Sequence, residues 1–403
     1  MRIAQLAPLY EAVPPLRYGG TERVVSWLTE ELVRRGHEVT LFASGDSRTG
    51  ARLVPVVKGG LRLGEAKDPI APHMLELGLL QQRLPTFDVV HSHLEYLALP
   101  MLRPNDPALV TTLHGRLDIP DLAPVYRAFR GQALVSISEA QRTPLPDLSW
   151  VATVHHGLPL DEYPMGRGGG DYFLFLGRIS PEKRPHVAID VARRLGVRLV
   201  LAAKVEAIDR PYFRSAVEPR LAEPGIEFVG EVDLPGTIRL LGEARALLFP
   251  ILWPEPFGLA MIESLACGTP IITRQCGSTP EVVTDGETGF VCDSDDALLA
   301  AARQTDRLDR GACRRAAEQR FSVGRMADQY EAVYVATSEA RRRMWKTSSA
   351  STIATTSSPP RAFQTTAPAS SSKETRSSSS TASGTSTRSG SASKDSSTTE
   401  PAT

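Results

Sequence analysis

The chain has 403 residues, a length that predicts two or three domains rather than one. Hydrophobic residues make up 41% and charged residues 23%, enough to bury a sizeable core, which sets aside coiled-coil and collagen classes. The 46 Lys and Arg balance 46 Asp and Glu, and a zero formal charge argues against a dedicated nucleic-acid binder, which needs basic excess to neutralise phosphates. Cys267, Cys276, Cys292 and Cys313 form no C-x-x-C pair, so they read as reduced thiols in a cytoplasmic protein. The N-terminus lacks the apolar core of a signal peptide, and no apolar run approaches the roughly 18 residues that span a bilayer. Peripheral contact with the inner face of a membrane stays open on this reading.

In chain order, short apolar runs alternate with amphipathic stretches, the pattern of parallel sheets covered on both faces. In the first half the expected strands are Ile3–Ala7, Glu38–Ala43, Asp88–His93, Leu109–His114, Leu134–Ser138 and Val151–His155. Val24, Leu28 and Leu32 recur every four residues and predict a helix from about Thr21 to Arg35, ended by Gly36. The Pro- and Gly-rich stretch Gly157–Gly170 reads as a hinge linker. The pattern then restarts, with strands expected at Asp171–Leu176, Arg198–Ala203, Glu227–Val229, Ala246–Phe249, Pro270–Thr273 and Gly289–Cys292. A last helix, about Ser322 to Arg343, is long enough to cross back onto the first domain. From Thr347 to Thr403, 32 of 57 residues are Ser or Thr, a composition that cannot offset its ordering entropy. The expected organisation is an α/β protein of two facing doubly wound, Rossmann-like domains, residues 1–160 and 161–321. A crossing helix follows at 322–345 and a disordered tail at 346–403.

Such folds bind ligands at the carboxyl ends of their strands, so chemistry is sought in the loops after strands. The first loop closes with Gly19-Gly20 before a helix, where backbone amides favour an anion, although a plain turn fits the same residues. The loop after Leu176 carries Arg178 and Lys183, suited to phosphate oxygens, or simply a solvated basic loop with Glu182. The segment Glu255-Pro256-Phe257-Gly258-Leu259, with Glu263 eight residues after Glu255, is the most informative. If a helix starts near Pro256, both carboxylates can face the cleft and read sugar hydroxyls, while amides near Gly258 meet a diphosphate, although a surface acid and a helix acid fit the same spacing. Of the strand-end histidines, His91, His93, His114, His155 and His156, only His114 is singled out, because Gly115 leaves room beside it. Asp293-Ser294-Asp295-Asp296 reads as the cap of a helix Ala297–Arg303 rather than a metal motif.

Together these residues resemble the retaining glycosyltransferases of family 4, which have the GT-B arrangement of two facing doubly wound domains. The resemblance covers about residues 1 to 345. It rests on Tyr18-Gly19-Gly20-Thr21-Glu22, Leu113-His114-Gly115, Gly177-Arg178 with Lys183, and Glu255-Pro-Phe-Gly-x4-Glu263 followed by Ala266-Cys267-Gly268-Thr269-Pro270. Gly277-Ser278-x-Pro280-Glu281 through Gly289-Phe290 continues the match. It implies transfer of a hexosyl group from a nucleotide sugar of the UDP- or GDP-hexose class, with retention of configuration and with no metal or separate cofactor. The acceptor is a glycan, a lipid or a small molecule. Residue by residue, the resemblance puts Gly19, Gly20 and the Phe257-Gly258-Leu259 turn against the donor, Arg178 and Lys183 on the departing diphosphate, and Glu263 on the ribose. Glu255 and His114 fall beside the donor sugar. Lys204 departs from the glycine-containing turn of many relatives and adds a third cation to the donor pocket.

Overall fold

The computed structural model describes residues 1–17, 19–62, 67–101 and 106–355, with side chains placed as far as residue 343. The first sheet contains β1 (Arg2–Leu6), β2 (Glu38–Ser44), β3 (Arg52–Val57), β4 (Val89–Ser92), β5 (Ala108–Thr112), β6 (Ala133–Ser136) and β7 (Trp150–Thr153). Its strands lie in the order β3-β2-β1-β4-β5-β6-β7 and pair in parallel throughout. The second sheet contains β8 (Tyr172–Arg178), β9 (Arg198–Lys204), β10 (Ile226–Gly230), β11 (Ala246–Phe249), β12 (Ile271–Arg274) and β13 (Gly289–Cys292). Its order is β10-β9-β8-β11-β12-β13, again all parallel.

Central strands such as β4 and β11 are buried along their whole length, as expected for a parallel sheet with helices on both faces. The helix Gly20–Arg34 buries Val24, Leu28 and Leu32 completely against the first sheet. At about 1.5–3 kcal/mol for each fully buried aliphatic side chain, that stripe alone anchors the helix. All the expected strands form, within a few residues of their expected bounds. The strand absent from the sequence reading is β3. It carries Pro55, which argues against a central strand, but β3 is the edge of its sheet, where a missing N–H is tolerated.

Two expectations gain detail. The stretch Gly157–Gly170 links the two domains and is tied down along its length. Leu158 donates its backbone N–H to Phe321 and accepts from Val323, while Gly166, Gly168 and Gly170 donate to Cys267, Gly242 and Glu243. Tyr163, in the middle of it, is fully buried. The last helix runs Val323–Thr355, past the composition break expected at Lys346. It packs on the first domain through Tyr330 and Tyr334, both fully buried, and through Arg35, which pairs with Asp328 at 2.7 Å and Glu331 at 2.5 Å. The expected tail, as far as it covers 356–403, lies outside the described residues.

In each sheet the strand order reverses direction once, between β1 and β4 and between β8 and β11. Loops leaving adjacent strands at such a reversal diverge to opposite faces and open a crevice. The crevices of the two sheets face each other and merge into one cleft of about 580 Å³.

Candidate active site

Every residue singled out from the sequence lines this cleft: Gly19, Gly20, His114, Arg178, Lys183, Lys204, Glu255, Phe257, Gly258, Leu259 and Glu263. The parallel register explains the cations. β8 and β9 pair Gly177 with Ala203 and Arg178 with Lys204, so two basic side chains leave neighbouring carboxyl ends side by side. Acids hold them. Arg178 pairs with Glu182, with Asp209 at 3.4 Å and with Glu206 at 3.7 Å, and Lys204 lies 3.9 Å from Glu206.

Lys183 pairs directly with Glu255. Its ammonium also sits 4.9 Å from the Trp253 ring centre and 5.2 Å from that of Phe249, a partly desolvated cation–π setting. Trp253 Nε1–H donates to the same Glu255 oxygen at 2.8 Å. The Glu255 loop is fixed from behind by Gly277. That residue has φ +55°, and a Cβ there would overlap the Glu255 backbone. Ser278 N–H then donates to the Glu255 carbonyl at 3.0 Å, and its hydroxyl to that of Phe257 at 2.9 Å.

The helix expected from Pro256 starts instead at Leu259, with Gly258 as its N-cap. Phe257 is buried beneath it, and Gly258, Leu259 and Ala260 at its start line the cleft with Lys183. Glu263, in the second turn, is 7% exposed and accepts from the Tyr163 hydroxyl at 3.0 Å. Opposite, Gly19 precedes the helix Gly20–Arg34 with φ +154°, and a Cβ there would stand 2.8 Å from Pro15. Gly19 is thus the constrained member of the glycine pair; at Gly20 the nearest atom to a Cβ is Leu259 Cδ1, at 3.4 Å.

The first-domain wall is built of imidazoles. His114 Nε2 shares a hydrogen bond with His93 Nδ1 at 2.9 Å, and its ring stacks on His156 at 5.3 Å. His156 in turn meets Phe257 edge-on at 4.8 Å. Burial keeps all three neutral: it lowers His114 to about 3 and His93 and His156 well below the ordinary histidine value. The expectation that Gly115 makes room for His114 needs correction. A Cβ on Gly115 would make only ordinary contact with Glu95, at 3.6 Å, so glycine is not needed there for space. What positions His114 is Glu95, whose carboxylate accepts from the amides of His114 at 2.8 Å and Gly115 at 2.9 Å.

The sequence reading passed over His93, His156, Glu95, Tyr163 and Glu22. The alternation Val-Val-His-Ser-His put His91 and His93 on one face, a usable signal. Glu95 adopts φ +52°, uncommon for a residue other than glycine, and no sequence signal marks it. Glu22 lines the cleft at 5% exposure, and burial raises its carboxyl to about 7. The segment Asp293-Ser294-Asp295-Asp296 caps its helix as expected, with Ser294 as the N-cap. Ser294 accepts from Ala297 N–H at 3.2 Å, and Asp295 pairs with Arg184 and Arg274. Among the described residues no cluster of three His, Cys, Asp or Glu has a metal-holding arrangement, and no helix is long and apolar enough to cross a membrane.

Two family descriptions match the chain in tandem: Glycosyltransferase Family 4 over residues 18–168 and Glycosyl transferases group 1 over residues 166–319. Glycogen synthase of Mycobacterium tuberculosis is 27% identical over 85% of this chain and 94% of its own length. Phosphatidyl-myo-inositol mannosyltransferase of the same species is 27% identical over 76% and 86%. Among solved structures, Anabaena HepE in complex with UDP-glucose superposes with a TM-score of 0.64 at 16% identity, covering 83% of this chain and all of that one.

Proposed function

Since the chain belongs to the family 4 glycosyltransferases of GT-B fold, which use nucleotide-sugar donors, we propose that it transfers a hexosyl group with retention of anomeric configuration and without a metal. One observation carries this reading. Arg178, Lys183 and the first-turn amides of the helix Leu259–Ala266 converge on one cleft with Glu263 a turn deeper. Transfer breaks the bond between the anomeric carbon and a diphosphate oxygen, so negative charge grows on the leaving diphosphate. Fixed cations and amides aimed at that oxygen lower the barrier more than any other arrangement of these residues. With that charge met by Arg178 and Lys183, no bound cation is required.

Retention is what the family likeness implies, and the engagement of three carboxylates of the cleft bears on its route. Glu95 holds two amides, Glu255 holds Lys183, and Glu263 holds Tyr163. None of the three is presented as a nucleophile for a glycosyl-enzyme intermediate. The acceptor hydroxyl then attacks from the face the diphosphate leaves, and the diphosphate oxygen takes its proton. Glu263 suits the paired hydroxyls of the ribose, and its Tyr163 bond fixes its rotamer for that task. Relatives named for glucose polymers and for mannosyl transfer support a hexose.

The test is release of nucleoside diphosphate from UDP- and GDP-hexoses, with and without glycan, lipid and small-molecule acceptors, in the presence of a strong chelator. Acceptor-dependent release with an unchanged anomeric configuration in the product is expected. Release without any acceptor marks a hydrolase, a changed sugar nucleotide an isomerase, and turnover lost in chelator but restored by magnesium overturns the metal-independent reading.

A further inference from the structure

Behind the cleft, His114 is the first member of a buried polar chain that the proposed chemistry does not use. His93 Nε2 meets Gln5 Oε1 at 2.9 Å, and Gln5 Nε2 donates to the Tyr334 hydroxyl at 3.4 Å. Tyr334 meets His91 Nδ1 at 2.8 Å, and His91 Nε2 meets Thr112 Oγ1 at 2.8 Å. Thr112 and the Tyr330 hydroxyl close the chain at 3.0 Å. Gln5, His91, Thr112, Tyr330 and Tyr334 are fully buried and His93 is 1% exposed. The pairing of β1 with β4 places Gln5 beside His91, so the fold itself sets these groups in contact.

A neutral imidazole carries one proton, and a neighbour decides which nitrogen holds it. The Gln5 carbonyl oxygen can only accept, so His93 is protonated on Nε2 and bare on Nδ1. Bare Nδ1 can only accept, so His114 carries its proton on Nε2. His114 Nδ1 is left as a lone pair. Among the described residues no protein group bonds that nitrogen, and His114 lines the cleft.

We propose that Gln5 and His93 are positioning residues that fix His114 as the Nε2–H tautomer, so that the cleft offers the donor sugar an acceptor of a hydroxyl hydrogen bond and not a donor. The ring is held by this chain and the backbone by Glu95, which locates the lone pair in both direction and distance. The first-domain wall therefore selects a sugar that carries a hydroxyl at that point. A fluorine, a methoxy group or a carboxylate there has no hydrogen to give. The proposed function enters only in placing His114 beside the sugar.

The tautomer is measured first, on the ligand-free full chain labelled with nitrogen-15 in histidine, by long-range correlation of ring nitrogens with ring protons. His114→Gln assigns the signals. A neutral Nε2–H pattern for His114 is expected; an Nδ1–H pattern or a cation overturns the proposal whatever the enzyme transfers. Gln5→Met removes the acceptor, and His114 should then populate both tautomers. Sugar transfer should fall by roughly tenfold, about one hydrogen bond to a polar partner, with bare nucleoside diphosphate bound within about twofold of wild type. Equal loss of transfer and of nucleoside diphosphate binding in Gln5→Met would make Gln5 merely structural and would also overturn the proposal. If no donor is turned over by wild type, the functional reading fails while the tautomer result still stands or falls by itself.

Discussion

The two walls of the cleft solve opposite electrostatic problems. The second-domain wall keeps charge: Arg178, Lys183 and Lys204 stay part-exposed and each is met by a carboxylate. Around its histidines the first-domain wall removes charge, although Arg17, Arg23 and Arg62 line the same cleft: His93, His114 and His156 are buried and held neutral. A cation is useful where a diphosphate departs, whereas a neutral hydrogen-bonding surface suits a sugar that must be read without being ionically trapped. The difference shows how one fold, used twice, is specialised by the loops that leave its strands.

The contrast breaks most visibly with acid. In the fold the imidazoles of His91, His93, His114 and His156 resist protonation, whereas in the unfolded chain they titrate near 6.5. Below that pH the unfolded state binds more protons, so stability falls, by about 1.4 kcal/mol per histidine for each unit. Melting followed by circular dichroism between pH 7 and 5 should drop steeply, and replacing His91 and His156 with Gln should make the drop shallower. A flat profile in wild type would mean that the first wall is not neutral by burial.

Charge on the second wall is tested by Arg178→Ala. Loss of one aligned cation from the leaving group should lower turnover by about a hundredfold or more, measured as nucleoside diphosphate release. Lys183→Ala should resemble it, with the added cost of leaving Glu255 buried and unpaired. Burial raises Glu22, an acid of the first wall, to about 7. It holds its proton in the fold but loses it near 4.5 in the unfolded chain, so stability declines as pH rises from 4.5 to 7. Glu22→Gln should remove that decline, worth up to about 3 kcal/mol, seen as a larger gain in melting temperature at pH 8 than at pH 5.

The smallest effect separates two neighbours. Glu263→Gln weakens charge-assisted bonds to the nucleotide, and calorimetry should show about tenfold weaker binding of the bare nucleoside diphosphate. Glu255→Gln releases Lys183 from its carboxylate, so the same measurement should show binding preserved or tighter, with transfer from the full donor reduced. Equal loss in both variants would mean that the two acids share one role.

Much of this arrangement was legible in the sequence because its signals are local. Strand-sized apolar runs mark the sheets, Val24, Leu28 and Leu32 mark the helix face, and Arg178, Lys183, Glu255 and Glu263 sit in the loops that strand ends must generate. What escaped was set by contacts distant in the chain. The bond from Tyr163 to Glu263 spans a hundred positions, and that from Gln5 to Tyr334 spans 329. Pro55 hid β3 because proline speaks only of the N–H it lacks, not of whether the strand lies at an edge. The tethering of the linker escaped for a related reason: its sequence does not show that its amides are taken up by Cys267, Gly242 and Glu243.

That stitched linker has a mechanical consequence. The chain passes between the domains twice, near Leu158 and near Ser322, and the two passages are paired as a short parallel bridge. Two strips fastened edge to edge resist sliding and torsion but yield to bending across their width. Any closure of the cleft is thereby a swing about one axis rather than a shuffle. His155 and Phe257, whose rings lie 6.0 and 6.1 Å from that of Phe321 beside this bridge, travel little in such a swing.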